Sequence, residues 1–421
     1  MTTTPPVAKD EKTPLFERPG VRPASPRDIV RDSGIGYASN GLIGMIFAAS
    51  GPVAIILGVG AQGGLSSAEL ASWIFGVFLC GGILTIIASV VYRQPLGFAF
   101  TIPGVVLVGP ALGHLTWPEV IGAFFVTALL ILVLGVTGLV RKVMAAIPMP
   151  IVMAMVAGVF LRFGTDLITS VEENAVVAAP MVITFVLLTA IPRLGKFLPP
   201  VLGALVVGAI AVALSGQFQL EGGVPTWFAA PVWTAPVWSV GAMLELVVPL
   251  AITVLVVQNG QGVAVLQAAG HKPPVNVTAV ACGVSSGVAA AFGAVATCLT
   301  GPTNALLTAS GEKRRQYTAA IAFGILSILF ALFAPGFTTL MLAAPPAYIL
   351  SLGGIAMLRA LQQAFVTSFR GAFTLSALIT FVVTISGLTI FNIGAAFWGI
   401  VIGYIVSRLM ERDDYRKGLA G

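Results

Sequence analysis

Charged side chains are scarce in this chain: Asp, Glu, Lys and Arg make up 9% of its 421 residues, whereas 57% are hydrophobic. With a mean hydropathy of +1.00, the sequence has too few charges for the surface of a soluble domain. The net charge of +6 does not indicate nucleic-acid binding, because the basic residues are scattered between apolar runs. The composition predicts an all-α polytopic membrane protein.

Cysteine, histidine and nucleotide-binding motifs are also few or absent. The three cysteines, Cys80, Cys282 and Cys298, lie in apolar segments without disulfide or metal-ligand spacing. There is no GxxxxGK[ST] motif and no Ser/His/Asp group, which argues against ATP-driven transport and against an intramembrane enzyme. We therefore expect no cofactor and no metal. His114 and His271 fall in loops predicted at opposite faces, so neither is assigned as a proton relay.

Apolar runs suggest fourteen membrane spans between residues 36 and 410, after a polar, proline-rich segment 1–31 that we expect to be a disordered cytoplasmic tail. The expected spans are 36–60, 68–92, 97–113, 118–140, 143–163, 174–191, 197–215, 241–268, 274–295, 296–311, 316–336, 342–365, 371–389 and 392–410.

The distribution of charge supports this count. With the N-terminus inside, all Lys and Arg except Arg162 fall in the tails or at the inner ends of spans, while Glu69, Glu119, Asp166 and Glu245 fall outside. Positive charge is retained on the cytoplasmic side of membrane proteins, and one missing span would invert every later loop. We therefore expect both termini, including 411–421, to be cytoplasmic.

Spans three and ten are each interrupted by proline, at Pro103 and Pro302. Proline starts helices well but disfavours helix in the residue before it, so each span is expected to be an extended segment followed by a half-helix. The half-helices, 104–113 and 303–311, would run in opposite directions under the charge-based topology. The sequence thus predicts two inverted repeats of seven spans each.

The half-helix N-termini are then expected to face each other near the middle of the membrane. Exposed N–H groups and a positive dipole end make such termini anion sites, and secondary transporters use broken helices in this way. The extended lead-ins, 98–102 and 296–301, should pair with each other because unsatisfied backbone groups are costly in lipid. Ile102, Pro103 and Gly104, with Gly301 and Pro302, are therefore candidate substrate contacts.

Polar side chains are rare in the apolar runs, and span eight contains three amides, Gln258, Asn259 and Gln261. Amides can donate to a carboxylate without adding charge, although they also join helices together. Thr303 and Asn304 at the span-ten break have the same two interpretations, as substrate contacts or as helix caps.

Aromatic and small residues complete the candidate substrate site. Phe98 and Phe100 either face the ring of an aromatic substrate or pack in the core. Ser50 and Gly51 interrupt span one and are either further contacts or a packing kink. Glu245 is the only acid more than two residues inside an expected span, and it either carries a proton or marks the outer end of its helix.

Three segments together resemble the benzoate/proton symporter (BenE) family. They are Gln94–Gly104 (QPLGFAFTIPG), Gln258–Gly262 (QNGQG) and Thr300–Asn304 (TGPTN). The resemblance covers the chain after the tail, and the chain is more distantly similar to nucleobase permeases and to anion exchangers of the same fold.

That resemblance implies a core domain, spans 1–4 and 8–11 (36–140 and 241–336), that moves against a gate domain, spans 5–7 and 12–14 (141–215 and 337–410). It implies import of benzoate or a similar aromatic monocarboxylate with protons across a bacterial inner membrane. It also leaves a homodimer open, because dimers occur among proteins of this fold.

The sequence departs from the nucleobase permeases, which carry glutamates where this chain has Gln258 or Asn259, and Thr303. Neutral groups there suit a carboxylate better than a neutral base, but they also remove the obvious proton site. A nucleobase/proton permease and an uncoupled organic-anion exchanger or channel remain the alternatives.

Overall fold

Helices dominate the computed structural model, which describes residues 16–140, 142, 146–191, 193, 198–220, 227–390 and 393–418. The helices are α1 (Pro26–Asp32), α2 (Ile35–Ala49), α3 (Gly51–Gln62), α4 (Ser67–Tyr92), α5 (Ile102–Ala111), α6 (Trp117–Thr137), α7 (Met149–Glu173), α8 (Ala175–Ala190), α9 (Pro200–Leu214), α10 (Val240–Ala268), α11 (Val275–Ala290), α12 (Gly301–Thr308), α13 (Tyr317–Leu332), α14 (Ala334–Leu342), α15 (Pro346–Phe369), α16 (Thr374–Ile385), α17 (Ala395–Met410) and α18 (Arg412–Gly418). Two short strands, β1 (Phe98–Phe100) and β2 (Thr297–Leu299), precede α5 and α12.

Seven helical stretches among the described residues are long and apolar enough to cross a bilayer. They are Ile35–Gln62, α4, α6, α7, α10, Lys313–Leu332 and α15, and shorter apolar helices such as α5, α8 and α11 lie in other expected spans. The chain is therefore a multi-pass helical membrane protein, as its composition predicts. The number of fourteen crossings stays a prediction.

Most helix bounds lie within a few residues of the expected spans, but α7 differs. It runs from Met149 to Glu173, ten residues beyond the expected end at 163. Arg162, expected at the end of span five, and Asp166, expected in the loop after it, therefore both lie within the helix, at i, i+4 spacing and 3.9 Å apart. The expected starts of spans five, seven and fourteen, and Arg141, Lys196 and Glu221, lie outside the described residues.

The structure interrupts span one where the sequence indicates. α2 ends at Ala49 and α3 begins at Gly51, with Ser50 between them in a non-helical conformation. Pro52 in the first turn of α3 explains the restart, because proline cannot continue the preceding hydrogen-bond ladder. Helix α10 is also irregular, with π-helical turns at Met243–Val247 and Thr253–Asn259. Such turns redirect the side chains that follow them and occur frequently at functional sites.

The described part of the N-terminal tail is structured, contrary to the expected disorder of residues 1–31. Ser25 caps α1, and the carboxylate of Asp32 accepts a hydrogen bond from the Tyr317 hydroxyl at 2.9 Å and pairs with Arg93 at 3.4 Å. The Arg31 and Tyr317 hydrogen bonds lower the pKa of Asp32, and burial opposes them. These contacts hold the tail against α4 and α13. Residues 1–15 lie outside the described part.

Two groups of helices make the most extensive packing contacts. Helix α13 packs on α2 and α4, and α6 packs on α11, around the two strands. Helix α7 packs on α15 and α16, and α16 packs on α17. The groups meet where α3 contacts α15 and α5 contacts α7. The strands are therefore enclosed by the first group and lie near its boundary with the second.

Candidate functional site

Strands β1 and β2 form an antiparallel ribbon, which confirms that the two proline-interrupted segments pair. Phe98 lies opposite Leu299, and Phe100 opposite Thr297. The ladder continues beyond the strands, since Thr101 donates its N–H to the Ala296 carbonyl at 3.1 Å. The pairing provides hydrogen-bond partners for the backbone groups that each strand directs towards the other, which would otherwise be unpaired in an apolar interior.

The outer edges of the ribbon are satisfied by side chains from neighbouring helices. The Thr85 hydroxyl of α4 accepts the Phe98 N–H at 2.8 Å and donates to the Phe98 carbonyl at 3.3 Å. Ser286 of α11 accepts the Thr297 N–H at 2.9 Å. The hydroxyls of Thr85 and Ser286 thus accept the outward-facing N–H groups of β1 and β2, which a neighbouring strand on each side would accept in a larger sheet. Sequence reasoning missed Thr85 and Ser286, because a single hydroxyl in an apolar helix gives no signal of its partner.

Each strand leads directly into a capped helix. Thr101 accepts the Gly104 N–H at 3.1 Å, and Thr300 accepts the Thr303 N–H at 3.3 Å. The helices begin at Ile102 and Gly301, two residues before the expected starts, because these hydroxyls cap the first turn. The N–H groups of Gly104 and Thr303, both candidate substrate donors, are thereby already used.

The first helical residues keep their donors free. Pro103 and Pro302 have no N–H, and among the described residues neither Ile102 nor Gly301 donates its N–H to a protein acceptor. Each short helix therefore has one uncommitted backbone donor in its first turn, beside a positive dipole end.

The two short helices leave the ribbon in opposite directions. Helix α5 lies beside the first half of α10, whereas α12 lies beside Gly260–Ala268 in its second half. Because the strands are antiparallel and each runs directly into its helix, the two helices begin at opposite ends of the ribbon, with their N-termini next to it. Neither Gln94–Pro110 nor Ala296–Ala309 contains an acidic residue, so this region has positive dipole ends without an opposing charge.

Two of the candidate amides hold the ribbon together. The Asn304 oxygen accepts the Gly97 N–H at 2.9 Å, and its nitrogen donates to the carbonyls of Gly97 at 2.9 Å and Thr300 at 2.6 Å. The Asn259 oxygen accepts the Leu299 N–H at 2.7 Å. Both Asn304 donors are therefore engaged with backbone, and Asn259 supplies the second acceptor on the outer edge of β2.

The two glutamines of α10 differ from the asparagines. Gln258 is buried, yet its amide makes no hydrogen bond within the described part of the chain. Gln261 is exposed, and its side chain lies against Gly301, the first residue of α12. Gln258 and Gln261 are thus the two amides of the Gln258–Gly262 motif that make no hydrogen bond among the described residues. Gln261 also adjoins the free N–H of Gly301.

The remaining candidates are mostly buried. Thr303 places its methyl group against Gly97 and Gly44, and Pro302 beside it is exposed. Phe98 packs in an apolar cluster, while Phe100 packs edge-to-face on Phe78 with ring centroids 6.0 Å apart.

At the span-one break, the Ser50 hydroxyl donates to the Phe47 carbonyl at 3.1 Å. Gly51 packs directly against Ala356 of α15. The break therefore lies where the two groups of helices touch, which is a packing role for both residues.

Glu245 is brought to a second polar site that the sequence analysis did not foresee. Its carboxylate is 2.8 Å from the Nε2 atom of His114, in the loop after α5. Both line a cavity of about 500 Å³ between α3, α5 and α10 on one side and α7, α16 and α17 on the other. We call it the outer cavity, because the topology expected from the sequence puts this end of α10 outside. The sequence does not indicate this contact, because His114 falls in an expected loop, although the expected topology puts it and Glu245 on the same side.

Solved structures of anion transporters share this fold. The transmembrane domain of a cyanobacterial bicarbonate transporter, BicA, aligns with a TM-score of 0.62 over 92% of this chain and 99% of that one, at 14% identity. A structure of SLC26A9 aligns with a TM-score of 0.59 at 13% identity, over 90% of this chain and 66% of that one. At these identities the likeness concerns the fold.

Sequence comparisons give the family. The family model described as benzoate membrane transport protein (BenE) matches residues 32–409. Inner membrane protein YdcO of Escherichia coli (strain K12) is 30% identical over 89% of this chain and 97% of its own length. The benzoate membrane transport protein of Acinetobacter baylyi (strain ATCC 33305 / BD413 / ADP1) is 27% identical over 87% and 92%.

The molecule is therefore a multi-pass membrane transporter and not an enzyme. It belongs to the benzoate membrane transport protein family, BenE, as the motifs at the ribbon indicated.

Proposed function

We propose that this transporter imports benzoate or a similar aromatic monocarboxylate together with protons across a bacterial inner membrane, with both termini in the cytoplasm. The family membership and the name of the Acinetobacter relative support the substrate class. Proton coupling supplies the driving force, because the chain carries no nucleotide-binding motif.

The observation that carries the proposal is the pair of short helices that start from opposite ends of one ribbon. A carboxylate between their N-termini is stabilised by two positive dipole ends, each equivalent to about half a charge. The free N–H groups of Ile102 and Gly301 are its backbone donors, and the absence of acids in both segments leaves no repulsion. Pro103 and Pro302 keep these first turns open by donating nothing themselves.

Amide donors complete the carboxylate site. Gln261 lies against Gly301, and Gln258 is buried without a partner among the described residues, so both have donors available for an anion. Asn259 and Asn304 keep the ribbon in shape and act on the substrate only through it. Thr303 and Gly104 have the same indirect role through their capped N–H groups.

The aromatic ring of the substrate lies on the apolar side of the site. Phe98 and Phe100, the first and last residues of β1, supply that surface. Ser50 and Gly51 act at the boundary between moving parts, since Gly51 packs on Ala356 of α15.

Transport follows from movement of a core domain, 36–140 and 241–336, against a gate domain, 141–215 and 337–410. The packing of α13 on α2 and α4, and of α7 on α15 and α16, is consistent with two such units. The substrate site belongs to the core, so rocking of one unit past the other exposes it to each side in turn.

The proposal is tested by uptake of radiolabelled benzoate into proteoliposomes, with and without an inward proton gradient. Wild type is compared with Thr303→Glu, which puts a negative charge at the start of α12, and with Thr303→Gln, which adds similar bulk without charge. We expect gradient-dependent uptake that is lost in Thr303→Glu and at least partly retained in Thr303→Gln. No benzoate uptake by wild type would contradict the substrate, and gradient-dependent uptake at the wild-type level in Thr303→Glu would contradict the anion site.

An uncoupled organic-anion exchanger or channel is the second candidate, because the bicarbonate transporter and SLC26A9 share this fold. It predicts benzoate uptake that ignores the proton gradient. A nucleobase permease predicts uptake of uracil or xanthine instead. The neutral residues Gln258 and Thr303 disfavour it, because they offer no carboxylate to a neutral base.

A further inference from the structure

The outer cavity contains a histidine and a glutamate in direct contact. His114 Nε2 and Glu245 Oε2 are 2.8 Å apart, and the backbone N–H of Gly394, at the start of α17, also faces this carboxylate. The His114 side chain is 25% exposed, whereas Glu245 is 6% exposed. The pair therefore joins solvent to a carboxylate in the cavity wall.

Among the described residues, the other charged groups around the pair come from two helices. Arg162 and Asp166 of α7 line the same cavity 3.9 Å apart, so their charges balance. Glu119 at the start of α6 lies near enough to interact with His114, but its carboxylate accepts the Thr116 N–H at 2.8 Å and does not line the cavity. The charge of the cavity lining is thus set by His114 and Glu245.

Counting the lining residues gives two states of the cavity. With His114 neutral and Glu245 ionised, the lining has one net negative charge, because Arg162 and Asp166 cancel. With one proton added to the pair, the net charge is zero. Because Nε2 of His114 and Oε2 of Glu245 are 2.8 Å apart, we assign the added proton to the pair and not to either side chain alone.

We propose that His114 and Glu245 together form the proton-binding site of this transporter, and that the proton they bind admits the anionic substrate through the outer cavity. The inference rests on the proposed function for its substrate. Without the proton, the negative lining repels a carboxylate; with it, the repulsion disappears. An anion and a proton therefore enter together, and the deprotonated pair opposes return of the anion alone.

The cavity charge can be measured without any substrate. A cysteine introduced at Val159, which lines the cavity from α7, is reacted from outside with an anionic and a neutral methanethiosulfonate reagent. The rate with the anionic reagent divided by the rate with the neutral reagent reports the local electrostatic potential. Ionisation of the thiol changes both rates equally, so its pH dependence cancels in this ratio. The native cysteines Cys80, Cys282 and Cys298 are buried and give little background.

In the wild-type background we expect the rate with the anionic reagent, divided by the rate with the neutral reagent, to rise roughly fivefold as the pH falls. A rise of this size is the effect of neutralising one nearby negative charge in partly hydrated protein. The double variant His114→Gln/Glu245→Gln should show a high, pH-independent ratio. Arg162→Gln is the matched control, which lowers the ratio at every pH but keeps its pH dependence. The same pH profile in wild type and double variant would overturn the proposal.

Measurement of benzoate transport provides the second test of the proposal. The double variant should lose benzoate accumulation driven by a proton gradient but retain exchange of internal for external benzoate, which needs no net proton movement. Gradient-driven accumulation at the wild-type level would overturn the proton site. If wild type does not transport benzoate, the proposed function fails, and the labelling ratios still decide whether the pair binds the proton.

Gly394 provides an independent variant that changes no titratable group. A methyl group there would lie 2.5 Å from Glu245 Oε1, so Gly394→Ala must displace the carboxylate. We expect the pH midpoint of the labelling ratio to shift. If the pH midpoint of the labelling ratio does not shift, the position of the Glu245 carboxylate does not affect proton binding, which contradicts the proposed role of Glu245.

Discussion

The side chain of Asn304 pairs with both backbone groups of Gly97, accepting its N–H at 2.9 Å and donating to its carbonyl at 2.9 Å. These are the two hydrogen bonds that an opposing strand residue would form. Helix α12 is thereby fastened to the start of β1 across 207 positions of sequence. The ribbon and the helix that begins from it are consequently one structural unit.

Replacement of Asn304 by Ala should destabilise the protein even without substrate. It leaves the Gly97 N–H unpaired in the interior, at a cost of about 1–3 kcal/mol if water does not reach it, and it leaves the Gly97 carbonyl with only the Thr300 N–H at 3.3 Å. We expect a lower melting temperature of the detergent-solubilised protein, measured by fluorescence-detected size exclusion. An unchanged melting temperature with lost benzoate binding would instead make Asn304 a direct substrate contact.

Thr85→Val should weaken the outer edge of β1. The substitution keeps the shape of the side chain but removes the oxygen that accepts the Phe98 N–H, so we expect a loss of about 1–3 kcal/mol. Thr127→Val is the matched control, because Thr127 is equally buried but its hydroxyl only donates to the Ala123 carbonyl within α6. Thermal unfolding should separate the two variants, and equal effects would argue against the edge role of Thr85.

Gly262→Ala should displace α10 from β2. A methyl group at this position would lie 2.5 Å from the Leu299 carbonyl oxygen, so backbone has to move. We expect a loss of about 1–3 kcal/mol, the usual cost of overpacking, and reduced uptake. Gly287→Ala on α11 has its nearest neighbour at 3.9 Å and should be tolerated. Similar melting temperatures and uptake in both variants would contradict the close packing of α10 on the ribbon.

His271 should make stability depend on pH. It lies in the loop after α10, where burial lowers its pKa and its ring nitrogen is 2.7 Å from the Gln316 amide oxygen. The folded protein therefore binds fewer protons than the unfolded chain at this residue as the pH falls through about 6.5, the ordinary value. Its stabilising contribution is complete above that pH and decreases below it towards the folded pKa.

The measurement is the melting temperature between pH 5 and 8 for wild type and His271→Gln. We expect the variant to lose part of the decrease on acidification. The same decrease in both proteins would show that His271 does not titrate in this way.

Several features of the fold could be predicted because they depend on local chemistry. Pro103 and Pro302, each two residues after a threonine, are sufficient to indicate a helix start within an apolar run, and the cost of unpaired backbone then requires the two lead-ins to pair. The structure confirms that pairing. The expected disorder of residues 1–31 was wrong for its described part, where Pro26–Asp32 is a helix, because a polar composition does not show that Asp32 has Arg93 and Tyr317 as partners.

The sequence by itself determined the membrane class, the two proline-started helices and the family, since hydropathy and proline stereochemistry act within a few residues. Only the tertiary structure decided which amides are occupied and which are free, and that His114 meets Glu245 across 131 positions. A side chain such as asparagine can cap, bridge or bind with equal ease, so its role is set by the groups that folding brings within about 3 Å.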